Sequence, residues 1–207
     1  LHAAVELYLT TGKEKYKSYI LENRETVVKG INQLGWIIGR ALPKINNSEF
    51  TALVRNAARN LSEEINKQSE ETPFGVPYRP RIWGAGWDIQ SFGVRQYFLY
   101  TAFPDIFKAA PIFNALNKVL SVHPGDNTSS FASGVGARST TIAYGINRAD
   151  ESYIPGGVSS GTALIRPDFP ELLDWPYLWQ QQEYVMGGGA TNFVFLVLAS
   201  DHLLEKK

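Results

Sequence analysis

From Leu1 to Val122 apolar residues return every three or four positions; from His123 to about Asp174 that rhythm stops and glycine, serine and threonine take over. The switch limits the fold to amphipathic helices that bury their faces on one another, joined on one side by long connections. Helices are expected over Leu1–Leu9, ending at Thr10-Thr11-Gly12, and from Lys13 to about Ile38, with Tyr16, Tyr19, Ile20, Val27, Val28, Ile31 and Leu34 in period. Pro43 and Asn46-Asn47 should break that run. Ser48 then reads as the N-cap of a helix from Glu49 to about Gln68. The three prolines between Thr72 and Pro80 exclude helix there, and two more helices are expected over Trp87–Ala102 and Asp105–Val122. Helix returns between Tyr177 and Leu204, loosened at Gly187-Gly188-Gly189. Alternating strands are not evident, so the reading is an all-α chain of helical hairpins. The roughly fifty aperiodic residues are long enough to be functional, since structureless loops beyond about 15 residues are uncommon in compact domains.

Composition narrows the chemistry. The 207 residues contain no cysteine, which removes disulfides, thiol catalysis and cysteine-ligated metals. With 20 basic and 20 acidic side chains the net charge is zero, which argues against nucleic-acid binding. Phe193–Ser200, the longest apolar stretch, is far below the roughly 20 residues of a membrane span. The chain opens within a helical pattern and without a start methionine or signal peptide, as expected of a part of something longer.

Two constellations stand out. Trp175-Pro176-Tyr177-Leu178-Trp179-Gln180-Gln181-Gln182-Glu183-Tyr184 sets one carboxylate among aromatics and neutral amides, and no Lys or Arg occurs from 167 to 205. Such surroundings raise a carboxyl's pKa by desolvation, the condition for a general acid; the plain alternative is a glutamate on an exposed helix face. Trp83, Trp87, Tyr144, Tyr153, Trp175 and Trp179 lie in or beside loops. Flat rings of this kind stack on the C–H faces of sugars; the plain alternative is that they plug helix ends. His2, His123 and His202 have no zinc spacing, so no metal site is read. The glycines of Gly134-Val135-Gly136 follow no buried strand and give no nucleotide fingerprint. Ser129-Ser130 and Ser159-Ser160 lack a nucleophile's partners. Asp126, Asp150 and Asp168 could serve as a base, but each taken alone reads more readily as a turn former.

The order of motifs adds a further reading. Trp83-Gly84-Ala85-Gly86 turns into a helix; a later helix ends in His123-Pro124-Gly125-Asp126-Asn127, followed by Ser130-Phe131-Ala132-Ser133-Gly134-Val135-Gly136. Next come Asn147-Arg148-Ala149-Asp150, Pro155-Gly156-Gly157-Val158 and a glutamate opening an apolar helix. This order resembles the C-terminal half of family 9 glycoside hydrolases, cellulase-like enzymes built as an (α/α)6 toroid, and the similarity covers nearly all of residues 1–207.

The resemblance implies hydrolysis of β-glycosidic bonds in a glucan or related polysaccharide by an inverting mechanism. Glu183 falls on the family's general acid, preceded by Gln182 where the family has Asn. Arg148 falls on the arginine of a His-His-Arg motif, with Ile146 and Asn147 in place of the histidines that read sugar hydroxyls. Trp83, Trp87, Tyr144 and Tyr153 are the expected sugar-holding aromatics. The family's water-activating aspartates belong to an Asp-Ala-Gly-Asp type motif that does not occur here, so the base is expected on a missing N-terminal half. That half is the partner which should cover the apolar helix faces a half-toroid leaves bare. No cofactor is implied; some relatives carry a structural calcium. A secreted or periplasmic location goes with the resemblance. Two other classes fit the same helices: a non-catalytic carbohydrate-binding or scaffold domain, and a polysaccharide lyase or sugar isomerase.

Overall fold

The computed structural model describes residues 1–72, 74–77, 85–120, 122, 130–137, 139, 155–158 and 188–205. Among them are eight helices: α1 (His2–Thr11), α2 (Glu14–Glu22), α3 (Arg24–Lys29), α4 (Ile31–Ile45), α5 (Ser48–Glu70), α6 (Ala85–Ala102), α7 (Ala110–Val119) and α8 (Gly188–Glu205). Two isolated β-bridges, and no strands, accompany them among the described residues. The all-α expectation therefore holds. The chain divides into two compact units, Leu1–Ile65 with Arg95–Ala109, and Asn66–Val94 with Ala110–Lys207.

In the first unit the run expected from Lys13 to Ile38 is three helices with breaks at Asn23 and Gly30. Asn23 turns its side-chain amide back onto the Tyr19 carbonyl at 2.8 Å, a local bond that competes with the helical ladder. Pro43 does not end α4. It sits in the last turn, where only one ladder bond is forfeited, and the helix closes at Asn46, which adopts the left-handed region at φ 48°. The cap of α5 is Asn47, one residue earlier than expected: its Oδ1 accepts from the Phe50 N–H at 2.8 Å, and Ser48 is already helical.

Packing in this unit follows the apolar stripes. α1 lies on α2 and α4, closed at its end by Gly12 at φ 66°. The Tyr8 hydroxyl donates to the Lys44 carbonyl at 2.9 Å, and Lys44 Nζ returns a bond to the Leu9 carbonyl at 2.7 Å. Val5, Ile20, Val27, Ile38, Ala41, Ile45, Val54 and Ala58 are fully buried between the helices. Gly39 of α4 admits the end of α6, since a Cβ there would stand 2.8 Å from Ala102 Cβ and 2.9 Å from the Phe103 ring. Tyr19, in period on paper, is about half exposed.

The second unit is built on the first part of α6, up to Val94, with α7 and α8. Ile89, Ile112, Ala115, Val119 and Leu196 are buried among them. α7 begins at Ala110, five residues later than expected, because Pro104, Asp105 and Ile106 form a turn in which the Ile106 and Phe107 N–H groups both donate to the Phe103 carbonyl at 3.0 Å. α8 is apolar on more than one side: Leu196 and Ala199 are buried, while Val194, Val197, Leu198 and Leu204 are exposed.

Two outcomes follow from this packing. A Cβ on Gly93 would lie 2.6 Å from Ala115 Cβ and 2.9 Å from Leu196. Overpacking of this kind costs about 1–3 kcal/mol, against a helix-propensity gain of about 1 kcal/mol for replacing glycine. Gly93→Ala is therefore expected to lower the thermal midpoint; an unchanged or higher midpoint would mean that the helices separate without loss. Arg55 donates to Asp105 across the first unit, and chiefly that hydrogen bond holds the Asp105 carboxyl below its usual value. A lowered folded-state pKa gives stability that is present above the ordinary carboxylate value and is lost as pH falls through Asp105's own. Acid unfolding below about pH 4 should therefore be less steep in Asp105→Asn than in the parent chain; equal slopes would show that the pair contributes nothing.

Candidate functional site

Three described helix ends meet at one end of the second unit. Gly93 of α6 lies against Ala115 of α7 and Leu196 of α8, and Asn192 Nδ2 donates to Ser91 Oγ at 3.3 Å. The pairings 91 with 192 and 93 with 196 rise together, so α8 runs in the same direction as α6. α7 returns against α6 as its hairpin partner. The start of α6, the end of α7 and the start of α8 therefore share one end, and from it leave the segments that carry Trp83, the 121–187 connection and Glu183.

That end carries a built patch. The Phe131 N–H donates to the Val119 carbonyl at 2.9 Å, tying the segment to the last turn of α7. Ala132 pairs with Val158 in an antiparallel bridge, Ser133 N–H donates to the Gly157 carbonyl at 2.8 Å, and Gly156 N–H returns to the Ser133 carbonyl at 3.0 Å. Val119, Phe131, Ala132 and Val158 form a buried cluster, with Val135 and Phe193 of α8 packed on it. Gly134, Gly136 and Gly156 stand at φ 77°, 83° and 71°, in the region that favours glycine. Two motifs that the sequence separates by some twenty positions, Phe131–Gly136 and Pro155–Val158, are thus one structural unit. Ser139, which bridges to Ser130, and Gly156, bonded to Ser133, are tied to the same patch, and Tyr144, Arg148 and Tyr153 lie between them in sequence.

Three buried polar side chains belong to the second unit as well. Ser130 is buried; its Oγ accepts from the Ala132 N–H at 3.0 Å and lies 3.2 Å from the Val119 and Ala132 carbonyls. A hydroxyl held in this way braces a turn, and a nucleophile it is not. Lys118 is 1% exposed, with Nζ 4.2 Å from the centre of the Phe131 ring. Gln90, one turn before Gly93, is fully buried, and both ends of its amide lack a hydrogen-bond partner among the described residues. The turn after α5 is fixed to α7: Asn114 Nδ2 donates to the Gly75 carbonyl at 3.1 Å, where Gly75 has φ 63°.

Glu183, Arg148, Trp83, Tyr144 and Tyr153 lie outside the described residues, as do His123, Trp175 and Trp179. Trp87 lies in the first turn of α6, its side chain outside the described set. Sequence reasoning missed Gln90 and Lys118. Each sits in an otherwise ordinary helical pattern, and a single polar residue there reads as solvent-facing. Among the described residues no three His, Asp or Glu gather as metal ligands, and no helix is long and apolar enough to cross a membrane.

An unpaired amide in the interior costs about 1–3 kcal/mol relative to a satisfied one. Gln90→Leu, which keeps the volume and removes the amide, is expected to raise the thermal midpoint by about 2–4 °C per kcal/mol recovered. A lower midpoint would instead show that a group beyond the described residues holds the amide.

No protein-family model matches this chain, and no curated protein is similar to it in sequence. Its fold is similar to that in the crystal structure of a metagenome-derived glycoside hydrolase family 9 endoglucanase, with a TM-score of 0.67 over 96% of this chain. Identity is 20%, and the match spans 39% of that protein's length. The chain therefore shares the helical fold of a family 9 glycoside hydrolase over almost all of its own length.

Proposed function

We propose that this chain supplies the general acid and part of the sugar cleft of an inverting glycoside hydrolase acting on a β-linked glucan or related polysaccharide. The observation that carries the reading is the convergence of the starts of α6 and α8 and the end of α7, from which every segment bearing an expected site residue departs. Trp83 is two residues from the start of α6 and Glu183 five from the start of α8. The fold shared with an endoglucanase supports the same assignment.

In this reading Glu183 protonates the departing glycosidic oxygen, and an aromatic, cation-free neighbourhood keeps it protonated near neutrality. Arg148, Trp83, Trp87, Tyr144 and Tyr153 hold sugar rings in place. The attacking water needs a carboxylate base on the other face of the bond, about 6.5–9.5 Å from the acid. We assign that base to an N-terminal half of the domain, a partner for which the exposed Val194, Val197, Leu198 and Leu204 of α8 offer an apolar seat. The reaction calls for no cofactor, and a secreted or periplasmic location accompanies a polymeric substrate.

The test is release of reducing ends from β-glucan by the hydrolase that contains this chain, beside its Glu183→Gln variant. General-acid catalysis is worth about 10²–10⁴-fold, and a loss of that order with oligosaccharide binding retained is expected. Undiminished hydrolysis would remove Glu183 from the acid's role. Binding without product from the parent protein would favour a carbohydrate-binding domain instead, the reading that Ile146-Asn147 in place of a His-His pair speaks for.

A further inference from the structure

A groove of about 730 Å³ lies within the first unit, where the end of α4 turns into α5 beside the last residues of α6. Arg55 and Arg59, one turn apart on α5, both line it, and among the described residues no acidic side chain does. Like charges at this spacing repel on a helix. Asp105 answers only one of them closely, through its bond with Arg55. Arg59 acts on the same carboxylate at longer range, and among the described residues it makes no ion pair of its own. Two guanidiniums thus share one carboxylate, and planar forks of this kind suit a second oxyanion.

The rest of the lining says what should carry that oxyanion. Asn46, Ser48 and Thr51 bring amide and hydroxyl groups to the lining, and Leu42, Pro43 and Ala102 bring an apolar wall. A bare inorganic ion needs neither neutral hydrogen-bond partners nor an apolar wall. A sugar acid uses all three: a carboxylate for the arginines, hydroxyls for the amides and hydroxyls, and a C–H face for the wall. The volume admits a short oligosaccharide. We propose that this groove binds the carboxylate-bearing sugar of an acidic oligosaccharide, a uronic acid, through Arg55 and Arg59. The inference does not rest on the hydrolytic reading, because none of the groove's residues belongs to the proposed catalytic set.

The experiment is calorimetric titration of the chain with a glucuronate-containing trisaccharide, a neutral glucose trisaccharide and inorganic phosphate. It is repeated with Arg59→Gln, with Arg59→Lys, and with Arg24→Gln as a charge-matched change at a separate surface pair, the one Arg24 makes with Glu49. Thermal midpoints establish that each variant is folded. Binding of the uronate sugar is expected, weaker by tenfold or more in Arg59→Gln, intermediate in Arg59→Lys, unchanged in Arg24→Gln, and weaker at 0.5 M salt than at 0.05 M. Equal binding of the neutral sugar, phosphate binding as tightly as the uronate, full affinity in folded Arg59→Gln, or no binding of the uronate at all would each overturn the proposal.

Discussion

The close approach of α6 to α7 and α8 at Gly93 is the constraint on which the rest of the candidate site depends. With no side chain at that position, Ala115 and Leu196 come within the distance of a single missing carbon. Packing of that tightness fixes the relative height of three helices as well as their separation. Because height is fixed, two helix starts and one helix end fall at the same level, and the long connections begin from a common floor. A larger residue there would disturb more than local packing, since each loop takes its origin from those termini.

Much of this was legible in the sequence, for a physical reason. Helical period survives wherever burial is one-sided, and Val5, Ile20, Val27, Val54 and Ile65 each fall on the buried face that the pattern indicates. Boundaries were less legible. Pro43 reads as a helix breaker, yet a proline in a last turn loses a single bond that the buried Leu42 and Ile45 on either side outweigh. Asn47 was hidden behind Ser48 because both are good caps, and only the geometry of the αL residue Asn46 decides which of them the helix uses.

At the candidate site the order of motifs was informative and their contact was not. Nothing in the spacing of Phe131–Gly136 and Pro155–Val158 announces that Ala132 will pair with Val158, because bridges between irregular segments leave no periodic trace. The buried Gln90 and Lys118 were invisible for the same reason that they are interesting. A polar side chain in the interior contradicts the pattern which sequence reading relies on, and such contradictions gather where a protein does something other than fold.

The bridge between Ala132 and Val158 has a consequence for how a protein of this kind can diversify. Ser139 is bridged to Ser130 and Gly156 is bonded to Ser133, so the excursion between them begins and ends in one patch. Lengthening such an excursion adds little closure entropy, about 0.6 kcal/mol for each doubling. Closure thus sets little limit on how many residues stand between the two anchors, and length there is free to drift by descent.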